Sequence, residues 1–362
     1  MNTLFESAVI GKISARNRFI RSATLEQAAA PGNVFADNLI EIYRKLTDGG
    51  VGIIITGMMS IHESGLLIPS MINAGREDFT PQLRSVAAAV HTGGGRLVVQ
   101  LAHCGIKVTL PLERGPLGPS ALETQAGRMT AAMNREDIEE LVQAFAAAAA
   151  RCREAGADGV QLHAAHGYLL SQFLSPRYNR RQDEYGGGIA NRARLVYEVY
   201  DAVRKAVGPD YPIWIKINSW DMIADGMTRE ESLAVCKELD RRGIDAVEIS
   251  GGIVADRASS SAQPVRSEED EGRFAPEAAA VAAQVNASVI SVCGYRTPAL
   301  AEQWLRRAGL AGVSLCRPLI REPGLVRQWQ NGDPRKAACI SCNRCFSVKG
   351  GVSCPHTLAL QL

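Results

Sequence analysis

Two histidines three residues apart, His163 and His166, and a tyrosine two further on, Tyr168, stand where the apolar run Gly159–Leu162 gives way to polar chain. Such imidazoles can ligate a metal, donate hydrogen bonds to an anionic ligand atom, or rest as satisfied core groups. Two of them with a tyrosine at one strand end favour a site. Alternate strand residues face opposite sides, which adds two more candidates. In Pro212–Asn218, Ile213, Ile215 and Ile217 share one face, leaving Trp214, Lys216 and Asn218 on the other. In Arg96–His103, Leu97, Val99 and Leu101 leave Gln100 on the opposite face, and Val160 and Leu162 do the same for Gln161 and His163. A lysine turned inward needs an anionic or hydrogen-bonding partner. That partner is a ligand with an electron-rich edge, a carbonyl substrate held as a Schiff base, or the carboxylate of an interior ion pair.

A phosphate cradle is readable further on. Gly294 follows Val289–Cys293, Arg317 ends Ser314–Cys316, and a helical pattern follows each. Backbone N–H groups at helix starts, a close-approach glycine and a fixed cation suit an anion. Ser250-Gly251-Gly252 joins them, so Gly252, Gly294 and Arg317 are candidate binding positions. Of nine cysteines, Cys104, Cys152, Cys236, Cys293 and Cys316 are scattered through core-like segments. The other four form Cys339-x2-Cys342-x2-Cys345-x8-Cys354. Four thiolates so spaced point to zinc or an iron–sulfur cluster.

These groups need a scaffold that brings strand ends together. Apolar runs at Arg18–Thr24, Val51–Gly57, Arg96–His103, Gly159–His166, Pro212–Asn218, Ala246–Gly251, Ser288–Gly294 and Gly312–Arg317 read as strands. Helical patterns lie between them at Asp37–Asp48, Thr80–His91, Arg135–Ala155, Asn191–Val207, Arg229–Arg242, Pro276–Asn286 and Pro298–Ala308. This α/β alternation predicts a (β/α)8 TIM barrel over residues 1–330, with a cysteine-rich extension over 331–362. A doubly wound open sheet is the alternative. Catalytic side chains then belong at the C-terminal strand ends. Met1–Ser14 suits a hairpin plugging the barrel bottom, Ser60–Asp78 and His103–Asn134 are long elaborated loops, and Ile253–Phe274 suits a mobile lid. A net charge of +2 with no basic tract argues against nucleic acid. No run reaches the roughly 18 apolar residues of a membrane span, and the start MNTLFESAVIGK lacks signal-peptide order, so a cytoplasmic protein is expected.

The chain resembles the Old Yellow Enzyme family of FMN-dependent oxidoreductases over nearly its whole length. The resemblance rests on Asn17-Arg18-Phe19, Gln100-Leu101-Ala102-His103-Cys104-Gly105, His163-Ala164-Ala165-His166-Gly167-Tyr168-Leu169, Phe173-Leu174-Ser175-Pro176, Asn179-Arg180-Arg181, Tyr185-Gly186-Gly187, Asn191-Arg192 and Arg317-Pro318. The tail is similar to the branch containing 2,4-dienoyl-CoA reductase and trimethylamine dehydrogenase, in which the corresponding cysteines bind a [4Fe-4S] cluster. The resemblance implies that Ala23, Thr24 and Met58 line the flavin and that Gln100 bonds its pyrimidine edge. Lys216 falls where the family usually has arginine, and Gly294, Cys316 and Arg317 hold the phosphate. It further implies that His163 and His166 bind a substrate carbonyl oxygen and that Tyr168 is the proton donor. NAD(P)H is the implied electron donor, and the activated C=C of an enone the implied acceptor. An oxidative dehydrogenase or demethylase, and an electron-transfer subunit, are the alternatives.

Four departures accompany the resemblance. Leu25 stands where relatives carry Cys or Thr, or the covalent flavin link of trimethylamine dehydrogenase, which predicts dissociable FMN. Cys316 stands where glycine is common, so its backbone N–H must make the contact. The last cysteine gap is shorter than in cluster-bearing relatives. Flavin and pyridine-nucleotide domains of the larger enzymes do not follow, so electrons are expected directly from NAD(P)H or from a partner protein through the tail. A homo-oligomer is compatible with all of this.

Overall fold

A computed structural model describes residues 3–124, 127–253, 262–347 and 351–358. Eight parallel strands close on themselves: β1 Phe19–Arg21, β2 Ile53–Ile55, β3 Arg96–Ala102, β4 Gly159–Ala164, β5 Ile213–Asn218, β6 Ala246–Ser250, β7 Ser288–Val292 and β8 Gly312–Leu315. Neighbours in sequence are neighbours in space, and β8 pairs with β1 through Val313 and Phe19. Between strands run α1 Asp37–Asp48, α2 Phe79–Thr92, α3 Arg135–Glu154, α4 Arg194–Val207, α5 Arg229–Arg242, α6 Ala275–Ala282 and α7 Pro298–Ala308. This is the expected (β/α)8 barrel, not the open sheet.

The inward and outward faces fall as strand alternation requires. Leu97, Val99, Leu101, Val160, Leu162, Ile213, Ile215 and Ile217 all belong to the core between strands and helices. A second core fills the barrel floor, where Trp214, Val98, Ile20, Ala246 and Ile290 meet Ile10 and Ile13 of an N-terminal hairpin. That hairpin pairs Ala8–Ile10 with Ile13–Ala15 and plugs the bottom as predicted. Its turn requires Gly11, whose φ is +49° and whose added Cβ would lie 2.4 Å from Trp214 Nε1. Trp214 Nε1 donates to Gly11 O at 3.0 Å, so plug and barrel share a hydrogen bond as well as apolar contact.

Several boundaries differ from expectation for physical reasons. β1 and β2 are shorter than the apolar runs, because the chain turns toward the site after Arg21 and Ile55. The predicted helix Asn191–Val207 is a short helix Ile189–Arg192 followed by α4. Leu169–Leu174, read as the start of a polar loop, is a helix with every residue buried. Residues 254–261, within the lid predicted at Ile253–Phe274, lie outside the described residues. The tail packs on the barrel through Ala337 N to Arg296 O at 2.8 Å, Val352 N to Glu26 O at 2.7 Å and Thr357 Oγ1 to Arg321 O at 3.2 Å. Among the described residues no helix is long and apolar enough to cross a membrane.

Candidate active site

A cavity of about 430 Å³ opens at the C-terminal ends of the strands. Parallel register sets its inner end. Lys216 of β5 stands level with His163 of β4 on one side and Glu248 of β6 on the other, while Gln100 of β3 is level with Gln161. Gln100, His163 and Lys216 line the cavity with Ser22, Ala23 and Thr24 from the turn after β1. Lys216 Nζ donates to Ser22 Oγ at 2.8 Å and lies 3.3 Å from Glu248 Oε1, so its partner is a buried carboxylate.

His166 and Tyr168 follow β4 and also line the cavity. His166 has φ +61°, a left-handed conformation uncommon outside glycine. Two bonds hold it there: its N–H donates to Asn218 Oδ1 at 3.1 Å, and its carbonyl accepts from Lys107 Nζ at 2.7 Å. Asn218 is itself fixed by donating to Asp221 at 2.9 Å. The result clusters three rings, with centroids 5.5 Å apart for the edge-on pair His163–His166 and 5.0 Å for the tilted pair His163–Tyr168. His166 Nε2 is 2.7 Å from Ser250 Oγ.

Burial dominates the electrostatics. It lowers the His163 imidazole to about 3, with the Lys216 and Lys107 ammoniums adding to it, and carries His166 well below its ordinary value. Both rings are therefore neutral near pH 7 and keep one N–H each to donate. Burial raises the Tyr168 phenol, with Cys104 adding to the effect, so it stays protonated. It also lowers Lys107 to about 8, and this ammonium lies 4.9 Å from the Tyr168 ring centroid. Neutral hydrogen-bond donors beside a protonated acid suit a carbonyl oxygen that gains negative charge.

The outer end of the cavity is lined by Gly294, Cys316, Arg317 and Arg296. Gly294 has φ +90° after β7, and Cys316 Sγ sits 3.0 Å from Thr24 Oγ1. Arg317 Nη1 donates to Asn343 Oδ1 of the tail at 2.7 Å, and Arg296 Nη1 donates to the Cys339 carbonyl at 2.9 Å. Two buried polar atoms on this cavity's residues, His163 Nδ1 and Ser314 Oγ, have no hydrogen-bond partner in the protein, and Arg296 Nε makes no hydrogen bond but lies 4.0 Å from Glu271 Oε1. An amide and an ammonium at one end, a glycine and two guanidiniums at the other, and polar atoms left for a ligand fit FMN. Met58 lines the same cavity.

Thus eleven of the positions expected to act here line one cavity: Ala23, Thr24, Met58, Gln100, His163, His166, Tyr168, Lys216, Gly294, Cys316 and Arg317. Gly252 does not. Its N–H is spent on Trp220 O at 2.9 Å, and Ser250 lines the wall instead. Sequence reasoning passed over Arg296, Glu248, Lys107 and Phe346, which comes from the tail to line the cavity. Glu248 carried a signal, a carboxylate between Val247 and Ile249 of an apolar strand; Phe346 carried none.

The four tail cysteines border a separate small cavity that shares Arg317 with the larger one. Among the described residues no three His, Cys, Asp or Glu are gathered closely enough to hold a metal ion. Cys342 Sγ instead lies 3.7 Å from His356 Nε2.

Comparison with known proteins agrees with the geometry. The NADH:flavin oxidoreductase / NADH oxidase family profile matches residues 3–336. A metal reductase of Desulforamulus reducens is 33% identical over 347 residues, 95% of this chain and 51% of that protein. An NADPH dehydrogenase of Geobacillus sp. is 31% identical over 322 residues, 88% of this chain and 91% of that protein. Among solved structures, a 2-naphthoyl-CoA reductase with 2-naphthoyl-CoA superposes with TM-score 0.88 at 28% identity, covering 95% of this chain and 54% of that one. The chain spans about half the length of the first of these relatives. With profile, relatives, barrel and cavity in agreement, this chain belongs to the NADH:flavin oxidoreductase / NADH oxidase family.

Proposed function

We propose that the protein is an FMN-dependent ene-reductase that draws on NAD(P)H and reduces the activated C=C of an α,β-unsaturated carbonyl compound. The carrying observation is the convergence of His163, His166 and Tyr168 with Gln100 and Lys216 on one cavity. Gln100 and Lys216 would hold the pyrimidine edge of FMN. Ala23, Thr24 and Met58 would line the ring, and Gly294, Cys316, Arg317 and Arg296 would hold the phosphate. Bound there, the flavin supplies hydride chemistry between a nicotinamide and an electron-poor alkene carbon.

The chain's own residues do the rest. His163 and His166, neutral and fixed, donate hydrogen bonds to the substrate carbonyl oxygen, which polarises the alkene and steadies the enolate oxygen as charge reaches it. Tyr168 gives its phenolic proton to the α-carbon. Because burial raises its pKa, it does so as a weak acid that is always protonated at neutral pH. Leu25, Met58 and Leu67 form an apolar wall that limits water. The test is reconstitution with FMN under anaerobic conditions: NADH or NADPH must bleach the flavin band and 2-cyclohexenone must restore it. Failure of the enone to reoxidise the reduced protein refutes the reading.

One observation favours a second reading, a dehydrogenase, demethylase or electron-transfer subunit with a [4Fe-4S] cluster. Cys339, Cys342, Cys345 and Cys354 border one cavity next to the proposed flavin site. A cube binds each thiolate at a different iron, so its donors stand farther apart than around one ion. Iron and sulfide analysis with EPR on anaerobically purified protein decides it. The same reading makes residues 331–362 a unit added to a barrel over 1–330, serving a partner protein.

A further inference from the structure

Glu248 does not face the cavity, yet it orients the polar groups that do. It lies inside β6 with 0% of its side chain exposed. A carboxylate only accepts hydrogen bonds, and both oxygens are engaged. Oε1 accepts from Ser22 Oγ at 2.8 Å and faces Lys216 Nζ at 3.3 Å; Oε2 accepts from Gln161 Nε2 at 2.9 Å. Gln161 must therefore turn its amide nitrogen to Glu248, because the reverse orientation would set oxygen against oxygen. Its Oε1 is left to accept, and takes Gln100 Nε2 at 2.7 Å. Gln100 then has its nitrogen directed along the chain and its carbonyl oxygen available to the cavity. One buried acceptor fixes the polarity of two amides.

The same carboxylate meets the charge of Lys216, itself only 4% exposed. A lone buried ammonium would favour an anion above it strongly; a paired one favours it less. We infer that Glu248 is a positioning residue for the proposed cofactor, with two effects. It presents the Gln100 oxygen to a ring N–H of the ligand, and it weakens the preference of Lys216 for the reduced, anionic flavin. This rests on the reading that the cavity takes FMN.

The test is the reduction potential and dissociation constant of FMN on the full chain, for wild type and Glu248→Gln. The neutral amide leaves Lys216 uncompensated, so the potential moves positive. A tenfold gain in preference for reduced over oxidised flavin is 29.6 mV for a two-electron couple. Oxidised FMN binds more weakly, because a Gln at 248 can donate and no longer dictates how Gln161 and Gln100 turn. Lys216→Met moves the potential negative, and Lys216→Met/Glu248→Gln, which removes both buried charges, returns it toward wild type. A purely structural role of Glu248 would leave the potential of FMN-loaded Glu248→Gln unchanged. Should Glu248→Gln not fold, Glu248→Asp, which draws the carboxylate back by one methylene, must shift the potential the same way by less. An unchanged or more negative potential in FMN-loaded Glu248→Gln, or an unchanged one in Glu248→Asp, overturns this inference alone. Wild-type protein that binds no FMN overturns it together with the proposed function.

Discussion

Acidification tests the neutral histidines on which the carbonyl-binding role depends. Burial lowers both His103 and His163 to about 3, against about 6.5 in an unfolded chain. A depressed folded-state value gives stability that is complete above the unfolded value and drains away as pH falls toward the folded one. Between about pH 7.5 and 5.5 each ring costs about 1.4 kcal/mol, together about 2.7 kcal/mol. Glu26 opposes them. Its carboxyl is fully enclosed against Tyr43 and Gly57, and burial raises it to about 7. A raised value gives stability that is present at low pH and lost as pH climbs through it, so over the same interval Glu26 returns about 1.8 kcal/mol. Wild type should therefore lose about 1 kcal/mol, with His166 adding to the loss in the same direction. Glu26→Gln, isosteric and without the titration, should lose about 2 kcal/mol more than wild type over the interval. Urea unfolding at both pH values, at fixed saturating FMN, measures this. Equal losses in the two proteins refute the assignment of Glu26, and no acid loss in Glu26→Gln refutes the buried neutral histidines.

Tyr168→Phe should slow enone-dependent reoxidation by about 10²–10⁴-fold while leaving reduction by NAD(P)H intact, as followed by stopped-flow absorbance. Asn218→Ala removes the acceptor that holds His166 N–H at 3.1 Å; carbonyl ligands should bind about tenfold more weakly at unchanged FMN affinity, read by ligand titration of the flavin spectrum. Trp214→Ala empties the contact between plug and barrel floor. It should cost about 3–5 kcal/mol in urea unfolding, with no selective effect on enone over nicotinamide.

Much of the site is visible in the sequence because a closed parallel barrel converts local pattern into global position. Once Val160 and Leu162 face the helices, His163 must face the axis, and the same holds for Lys216 between Ile215 and Ile217. The failures have equally local causes. Leu169–Leu174 has the composition of a buried helix but is only six residues long, too short for its period to stand out from the polar run that follows. Gly252 resembles Gly294 in its sequence setting after a strand, but its N–H is claimed by Trp220 O, a partner no spacing rule exposes.

The sequence by itself determined the barrel, its plug, the inward faces of β3, β4 and β5, and the histidine–tyrosine cluster, because all follow from alternation along single segments. Tertiary structure alone decided what each inward group meets. Lys216 was one inward lysine without a named partner until β5 and β6 lay in register and brought Glu248 to 3.3 Å, beside the cavity that Lys216 also lines. The cysteine spacing left zinc and an iron–sulfur cluster both open, and only the folded tail shows that all four cysteines border one small cavity that shares Arg317 with the larger one. The difference is physical: facing is a property of one strand, whereas partnership depends on how closure of the whole barrel aligns residues distant in the chain.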